Sequence, residues 1–154
     1  MKPYNVVVCG VGGQGVLLLA RTIAEAAFID GLDVVQSEIH GLAQRGGAVV
    51  AHVRFGSRVY SPLVDRHKAN LIVSLEALEA LRNRVYAGSE TSVICNKLIL
   101  PPPSAAAVKV EIPSLEEVKS AFSHAKLFQY VEAQRIAERE GLPQGANIIM
   151  LGFS

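Results

Sequence analysis

The chain has 154 residues, which is the length of about one domain by the usual range of ~100–200 residues. Half of the residues are hydrophobic and 19% are charged, which excludes a disordered chain because enough apolar surface is present to offset the entropy of folding. A formal net charge of +1 excludes the broad positive field of a nucleic-acid-binding or membrane-surface domain. We therefore expect one domain, residues 1–154, with no nucleic acid and no membrane as partner.

Cysteine use and the lengths of the apolar runs predict a cytoplasmic protein. Cys9 and Cys95 are the two cysteines of the chain and lie far apart, so no metal-binding or redox motif is present. We expect both to be small buried hydrophobic residues, and we expect this chain alone to hold no metal and no iron–sulfur cluster. The longest apolar run, 16–20, is far shorter than the ~18 residues of a membrane-spanning helix. The N-terminus also lacks the layout of a signal peptide.

The first elements of the chain predict a βαβ unit. A run of β-branched residues at 5–9 predicts a buried strand. Apolar residues at spacings of three and four predict a helix over 16–29, and Gly31 is typical of a residue that ends a helix. A second strand is predicted at 33–38, and this order implies a parallel sheet with right-handed crossovers.

The middle of the chain predicts a hairpin and then further buried strands. Residues 48–55 alternate between apolar and polar, and Gly56 and Ser57 would turn that strand back into a hairpin with 59–61. Strands at 71–75 and 92–95 with a helix at 76–84 follow, and a proline triplet at 101–103 predicts a stiff connector. These elements favour an α/β fold: a single Rossmann-like, doubly wound, mainly parallel sheet with an inserted antiparallel hairpin.

The last third of the chain predicts one more strand and three helices. The Ser-x-x-Glu spacing of Ser114 and Glu117 is typical of a helix start, and Asn147 is expected to cap the last helix. We expect that last helix to be incomplete, because its apolar segment is too short to dock well. The predicted elements are a strand at 108–112 and helices at 115–125, 130–140 and 148–153.

A glycine-rich loop is the first candidate site. Gly10, Gly12 and Gly15 form a G-x-G-x-x-G pattern between the first strand and the first helix. Glycine allows the tight turn, the approach of backbone to a phosphate, and close packing of helix on strand, while the helix N-terminus attracts anions. Gly13 and Gln14 also lie in this loop and would give a wider concavity and an amide side chain. The alternative is a tight loop that holds no ligand.

A dinucleotide site would need an acid at the end of the second strand to bind a ribose hydroxyl. Glu38 is the one candidate, but residues 39–47 are polar and glycine-rich where the second helix of such a fold would begin. A free-standing dinucleotide-binding enzyme for NAD or FAD, or a redox sensor, is therefore an alternative hypothesis.

A second group of polar residues follows the second strand, at the sheet edge where α/β folds bind ligands. Its members are interface or active-site rim candidates: Glu38, His40, Gln44, Arg45, Gly46 and Gly47. Residues 45–68 carry five basic side chains and one acid, so an anion-attracting patch is one interpretation and a solvated hairpin face is the other. We expect His52 and His67 to be surface residues.

Several of these segments together resemble one known family, the gamma-type domain of 2-oxoacid:ferredoxin oxidoreductases. Within that family the chain is most similar to the indolepyruvate type, in which this domain is a separate beta subunit. The pairing of the Gly-Gly-Gln-Gly loop with the Gln-Arg-Gly-Gly segment is specific. The segments that carry the resemblance are 10–15, 37–47, 50–54, 61–64 and 147–152.

The resemblance implies an accessory subunit that is inactive alone and supplies no catalytic residue. The family oxidises a 2-oxoacid, for example indolepyruvate or pyruvate, with coenzyme A as cosubstrate to an acyl-CoA and carbon dioxide, and passes electrons to ferredoxin. It further implies that thiamine diphosphate, magnesium and iron–sulfur clusters are held by a larger partner subunit, and that ferredoxin is reached through the complex. The roles of the individual residues in the two glycine motifs are not fixed by the resemblance.

Overall fold

The computed structural model describes residues 2–41, 46–101 and 111–154, which form one six-stranded sheet with helices on both faces. The strands are β1 (Tyr4–Val11), β2 (Asp33–His40), β3 (Ala48–Gly56), β4 (Leu71–Ser74), β5 (Ser92–Asn96) and β6 (Leu127–Val131). The helices are α1 (Val16–Ile29), α2 (Ala77–Arg82), α3 (Leu115–Ser120), α4 (Ala133–Arg139) and α5 (Ala146–Phe153), with a short 3₁₀ turn at Arg84–Tyr86.

The strand order is β2-β3-β1-β4-β5-β6. Strands β1, β4, β5 and β6 pair in parallel, whereas β3 is antiparallel to both of its neighbours, β1 and β2. The α/β fold with a mainly parallel sheet and an inserted antiparallel element is thus confirmed. Because β3 separates β1 from β2, the first two strands run in the same direction without pairing to each other.

The predicted hairpin has a different partner in the structure. Strand β3 pairs with β2, which precedes it, and residues 59–61 form no strand. The backbone N–H of Val59 instead donates to Asp33 Oδ2 at 2.8 Å, and the Val59 side chain is buried. The segment after Gly56 therefore crosses the start of β2, because burial of Val59 and this side-chain bond replace strand pairing.

Helix α1 has the bounds that its apolar spacing predicts. Its buried residues lie at helical spacings and form the face that packs on the sheet: Val16, Leu19, Ala20, Ala24 and Ala27. Gly31 ends it with a φ of 80°, and its N–H donates to the carbonyl oxygen of Phe28 at 2.9 Å.

The sequence predicts a single helix over 130–140 and no strand directly before it, whereas the structure has strand β6 there. The helix in this region is α4, which begins only at Ala133, and residues 127–131 pair in parallel with β5. Phe128 stacks on Phe122 at 5.2 Å between ring centroids and lies edge-on to Tyr130 at 4.9 Å. These aromatic contacts stabilise β6 at the edge of the sheet. A search for helical spacing of apolar residues does not predict them.

The other C-terminal predictions have mixed outcomes. The capping box of Ser114 and Glu117 is confirmed, but α3 ends at Ser120 rather than at 125. Residues 111–112 form no strand, and the rest of the strand predicted at 108–112 lies outside the described residues, as do Pro102 and Pro103.

Two buried clusters fix the helices on opposite faces of the sheet. One joins α1 and α5 to the face that carries Val6 and Val8, and the other joins α2 and α3 to the face that carries Val7. Cys9 and Cys95 belong to the second cluster and are fully buried, as the sequence predicts. Among the helices of the described residues, none is long and apolar enough to cross a membrane.

Candidate anion-binding cleft at the glycine loop

The glycine loop connects the end of β1 to the first turn of α1. At Gly10, a Cβ would lie 2.9 Å from both Gln14 Oε1 and Val16 Cγ2, so only glycine lets the strand and the helix approach this closely. Gly13 and Gly15 have φ values of 98° and 82°, in the left-handed region that favours glycine. The predicted need for glycine at Gly10 and Gly15 has therefore two physical causes, packing at Gly10 and backbone conformation at Gly15, and Gly13 shares the second cause.

Gln14 stabilises the loop with its amide side chain. Its Oε1 accepts the backbone N–H of Val11 at 2.7 Å, and its Nε2 donates to the carbonyl oxygen of Leu75 at 3.2 Å. Both ends of the amide are used in holding the loop against β1 and the segment after β4. The expectation that a ligand would meet this amide is thus not supported by the geometry.

The two glycine motifs are in direct contact. The backbone N–H of Gly12 donates to the carbonyl oxygen of Gly47 at 2.8 Å, and Gly46 has a φ of 72°. The start of β3 is thereby fixed beside the end of β1. Gln44 and Arg45 lie outside the described residues.

A cleft of about 380 Å³ opens between this loop and the end of β2. Its lining includes Val11, Gly12, Gly13, Gly15, His40 and Val49. The first turn of α1 contains no acidic residue and its N-cap, Gly15, makes no side-chain cap, so the positive end of the helix faces this region. The first turn of α1 therefore presents uncapped backbone N–H groups toward this cleft.

His40, rather than Glu38, stands beside the loop. In the sheet register His40 pairs with Val49, which pairs with Gly10, whereas Glu38 lies level with Val8, deeper in the sheet. Glu38 Oε1 accepts from Gln36, and its Oε2 lies 3.6 Å from His40 Nε2. Because β3 also adds a strand spacing between β2 and β1, about 5 Å, Glu38 is poorly placed to hold a ribose next to the glycine loop.

Two of the basic residues predicted as a patch, Arg54 and Arg58, make contacts away from this edge. Arg54 pairs with Asn5 at the opposite end of β1, and its guanidinium donates to Asn5 Oδ1 at 2.8 Å and to the carbonyl oxygens of Ser61 and Leu63. Arg54 therefore fixes the segment after β3. The Arg58 guanidinium stacks over the Tyr60 ring, 5.4 Å from its centroid. Both side chains thus have contacts of their own away from the glycine loop, and the anion-attracting patch over 45–68 stays a prediction.

His52 is buried, which corrects the expectation of a surface histidine, whereas His67 is exposed as predicted. His52 Nδ1 accepts the backbone N–H of Val64 at 3.0 Å, and the ring lies edge-on to Tyr86. Burial lowers the pKa of His52, and the positive charge of Arg54 lowers it further. His52 is therefore a neutral structural residue.

Asn147 is a contact of the loop that the sequence did not reveal. Helix α5 begins at Ala146, so Asn147 lies inside the helix instead of capping it. Its buried side chain lies against Gly15, where a Cβ would be 3.0 Å from Asn147 Cγ. An asparagine before an apolar run is usually read as a cap, and nothing in the local pattern signals this long-range packing.

The described side chains near this cleft do not form a metal-binding site. Within residues 2–41, 46–101 and 111–154, no group of three or more His, Cys, Asp or Glu side chains is arranged to hold a metal ion. Burial raises the pKa of Cys9 to about 12 and also raises the pKa of Cys95. Both thiols therefore stay protonated, whereas metal ligation needs the thiolate.

Comparison with known sequences identifies close relatives over the whole chain. The chain is 38% identical over 154 residues to indolepyruvate oxidoreductase subunit IorB of Pyrococcus horikoshii, covering 99% of this chain and 76% of that protein. It is 40% identical over 150 residues to the subunit of the same name from Archaeoglobus fulgidus, covering 97% and 74% of the two chains.

Solved structures share the fold at lower identity. The gamma subunit of a keto/oxoacid ferredoxin oxidoreductase from Geobacter sulfurreducens matches with a TM-score of 0.67 and 21% identity, over 99% of this chain and 74% of that chain. A 2-oxoglutarate:ferredoxin oxidoreductase from Magnetococcus marinus, solved with 2-oxoglutarate, coenzyme A and succinyl-CoA bound, matches with a TM-score of 0.74 and 18% identity, over 99% and 24% of the two chains. The model of the pyruvate ferredoxin/flavodoxin oxidoreductase family matches residues 5–154, and the chain belongs to this family.

Proposed function

We propose that this chain is the accessory subunit of a 2-oxoacid:ferredoxin oxidoreductase of the indolepyruvate type, in the cytoplasm. The observation that carries the proposal is identity of 36–40% over nearly the whole chain to four proteins that are each named as this indolepyruvate oxidoreductase subunit. The chain would act as one gamma-type domain, residues 1–154. Two reduced, buried cysteines suit a reducing compartment.

The redox cofactors would be held by a larger partner subunit. An iron–sulfur cluster of the common type needs four cysteine thiolates, and this chain has two cysteines, both buried with raised pKa values. The donor set of the chain therefore does not fit a cluster, and thiamine diphosphate with its magnesium is likewise assigned to the partner. Electrons would reach ferredoxin through the assembled complex.

The glycine-loop cleft would contribute binding rather than chemistry. The N-terminus of α1 supplies amide donors and a positive dipole end, and His40 supplies an imidazole beside them. We assign this cleft to an anionic group, of the cosubstrate coenzyme A or of the partner subunit. Gln44 and Arg45, next to Gly46 and Gly47, would extend the same rim toward the partner.

Reconstitution tests this function directly. The purified chain, the larger subunit and their mixture are assayed with indolepyruvate, pyruvate or 2-oxoglutarate, together with coenzyme A, thiamine diphosphate and a viologen acceptor. We expect turnover by the mixture, fastest with indolepyruvate, and none by this chain alone. Turnover by the pure chain, or full activity of the larger subunit without it, would overturn the proposal.

The glycine fingerprint supports a second candidate function, a dinucleotide-binding enzyme or redox sensor. Titration of the isolated chain with NADH and NADPH, followed by nucleotide fluorescence, separates the two. Micromolar binding that is lost in Glu38→Ala would favour the second function. We expect no such binding, because Glu38 lies level with Val8 and not with the loop.

A further inference from the structure

Strand β2 forms one edge of the sheet, and no strand of the described residues pairs with its outer side. Its pairing with β3 runs without interruption from Asp33 to His40, so no bulge breaks its register. The strand contains no proline, and its eight residues exceed the usual strand length of about 5–6. A long, regular edge strand of this kind offers a row of free N–H and C=O groups to another strand.

The hydrogen bonds to β3 decide which residues of β2 turn their backbone outward. The N–H of Gly41 donates to the carbonyl oxygen of Ala48 at 2.9 Å, and this hydrogen-bonded pair continues the register of β2 with β3. Hydrogen-bonded pairs alternate along antiparallel strands, so the odd-numbered residues of β2 direct their backbone groups to β3. The even-numbered residues direct their N–H and C=O groups to the free edge: Val34, Gln36, Glu38 and His40.

On the face that carries α1, the side chains of β2 form a polar row that ends beside the glycine loop. Val34 packs against the cluster that contains α1, and alternate side chains of a strand share one face. Gln36 Nε2 donates to Glu38 Oε1 at 3.1 Å, and Glu38 Oε2 lies 3.6 Å from His40 Nε2. The single carboxylate of this row therefore has an amide donor and an imidazole beside it.

On the opposite face, the side chains of β2 leave apolar surface open at the edge. Val35 and Ile39 share this face, with Ser37 between them. Ile39 is 47% exposed, although its neighbour on β3, Val50, packs on the second buried cluster. Val35 is half-buried. Two β-branched side chains therefore lie at the free edge without a neighbouring strand to cover them.

A second copy of the same strand complements both of these surfaces. Two identical edges that pair in antiparallel fashion are related by a two-fold axis perpendicular to the sheet, so opposite residues share a face. With Ser37 at the axis, Val35 lies opposite Ile39 of the second copy, and Gln36 lies opposite Glu38. Each of these contacts occurs twice, because the interface is symmetric.

The neighbouring registers are less favourable. With Gln36 at the axis, Val34 would lie opposite the Glu38 carboxylate, and Asp33 would lie opposite Ile39. With Glu38 at the axis, two carboxylates would lie directly opposite each other, which destabilises a strand pair. The order of side chains in β2 therefore favours the register that is centred on Ser37.

We propose that β2 pairs with β2 of a second copy of this chain, antiparallel about a two-fold axis at Ser37, to form one continuous sheet. The outward backbone groups of Val34 then bond to those of His40, and the groups of Gln36 bond to those of Glu38. Val34 of the second copy lies opposite His40, which lines the glycine-loop cleft. The second copy therefore borders that cleft, and the pairing is independent of the proposed function.

Single cysteines introduced into the full chain test this register. The two Ser37 residues would form a non-hydrogen-bonded pair with Cα atoms about 4.5 Å apart, a distance that a disulfide can span. Ser37→Cys should therefore give a disulfide-linked dimer under mild oxidation, while the native Cys9 and Cys95 are buried and stay reduced.

Gln36→Cys is the matched control for this experiment. Its two copies would be diagonal neighbours, about 7–8 Å apart, and should cross-link at least about tenfold more slowly. Equal rates for the two variants, which random collisions would give, would overturn the proposal. Faster cross-linking of Gln36→Cys would overturn it as well, because the axis would then lie at Gln36.

Sedimentation of the full chain measures the association itself. We expect a concentration-dependent monomer–dimer equilibrium, with the dimer predominant at about 0.5 mM. Gln36→Pro removes an outward N–H and no hydrogen bond to β3, so it should weaken the dimer at least about tenfold. Gln36→Thr keeps this N–H and should dimerise within about threefold of wild type. A chain that stays monomeric at about 0.5 mM would contradict the proposal.

A pair of charged variants tests the apolar contact across the axis and replaces the proline variant if that protein does not fold. Val35→Glu sets a carboxylate beside Arg54 of its own β3, and Ile39→Lys adds an exposed charge. Each variant alone sets charges opposite apolar side chains and should dimerise at least about tenfold more weakly. A mixture of the two should recover association, because one Glu–Lys contact and one native contact form. Absence of recovery would count against this register.

A strand of the larger subunit is the alternative occupant of this edge. If the chain alone is monomeric and Gln36→Pro instead lowers the affinity for the larger subunit, the edge belongs to that interface and pairing between copies is wrong. Failure of the reconstitution assay, by contrast, would affect the proposed function and leave the cross-linking and sedimentation results standing.

Discussion

The backbone N–H of Gly12 donates to the carbonyl oxygen of Gly47 at 2.8 Å, and this bond joins the β1–α1 loop to the start of β3. Two glycine-rich segments that are far apart in the sequence therefore form one structural unit. The register adds His40 to this unit, because His40, Val49 and Gly10 lie in one row across three strands. A substitution in either glycine-rich segment should therefore also alter the conformation of the other segment.

Gly15 should tolerate a side chain poorly for two reasons at once. Its positive φ of 82° strains any other residue, and a Cβ would also lie 3.0 Å from Asn147 Cγ. We expect Gly15→Ala to lower the free energy of unfolding by about 2–4 kcal/mol, the sum of backbone strain and crowding. Urea denaturation measures this loss.

Gly13→Ala is the matched control, because Gly13 has a φ of 98° but a Cβ there would meet nothing within 4 Å. Its cost should be the strain alone, about 1 kcal/mol. A side chain at Gly13 would therefore not crowd the start of the helix. Asn147→Ala should recover part of the loss in Gly15→Ala, and equal costs for the two glycine variants would show that Asn147 does not limit the space.

Protonation of His52 should destabilise the fold. The His52 Nδ1 accepts the backbone N–H of Val64, so a proton on Nδ1 would point at another N–H donor and break this hydrogen bond. Burial also lowers the pKa of His52 below the usual 6.5. The unfolded chain binds this proton more readily than the folded chain does. The contribution of neutral His52 to stability is therefore complete above the pKa that His52 has in the unfolded chain. It is lost as the pH falls through the lower folded pKa. We expect urea midpoints to decrease from about pH 7 toward about pH 5.

His52→Gln provides the control for this pH dependence, because glutamine keeps an acceptor near Val64 and does not titrate. The variant should lose less stability than wild type over the same pH range, even if it is less stable at neutral pH. Parallel profiles for the two proteins would show that His52 is not the group responsible for the pH dependence.

The fold was predictable where local chemistry decides it. Helix α1 follows from apolar spacing and Gly31, and the start of α3 follows from the Ser114–Glu117 capping box. Strand β6 and the partner of β3 were not predictable, since they depend on which surfaces meet in three dimensions. Phe128 stacks on Phe122, and the buried Val59 forms a hydrogen bond to Asp33 at the start of β2.

The candidate site was predictable in its backbone but not in its side chains. The positions that need glycine were found because φ and close approach are local properties of a loop. The sequence offers both Glu38 and His40 as candidates, and only the sheet register, with β3 between β2 and β1, shows that His40 lies level with the loop and Glu38 does not. The contact of Asn147 with the loop depends on burial, which periodicity does not report.

Arg45 should act on the partner subunit. It lies outside the described residues, but it directly precedes Gly46 and Gly47, and the carbonyl oxygen of Gly47 accepts the N–H of Gly12 in the glycine loop. A guanidinium that binds a carboxylate or phosphate in two places loses ~2–5 kcal/mol when truncated in a buried contact. We expect Arg45→Ala to lower assembly or turnover of the complex at least about tenfold, ~1.4 kcal/mol.

Arg45→Lys should restore this loss only in part, because a point charge keeps the attraction but not the paired geometry. Arg66→Ala is the matched control, since Arg66 is an exposed arginine of the same basic stretch. If Arg45→Ala changes affinity and turnover by less than about twofold, Arg45 belongs to a solvated loop.

The two thiols should react only through unfolding. Cys9 and Cys95 are fully buried, and burial raises the pKa of Cys9 to about 12, so at pH 8 the Cys9 thiol is protonated and unreactive. We expect a chromogenic disulfide reagent to modify native protein slowly, and both thiols at once in urea. The rate should follow the population of the opened state when opening and closing are fast.

The Gly15→Ala variant makes this prediction quantitative. If reaction requires global unfolding, its thiol modification should accelerate by the same factor as its unfolding equilibrium, which is about tenfold for each 1.4 kcal/mol of lost stability. Because Cys9 and Cys95 lie on the face of the sheet that carries α2 and α3, away from Gly15 and α1, no local effect of the substitution should reach them. A rapid phase of one equivalent in the wild-type protein would instead reveal a local opening of that face.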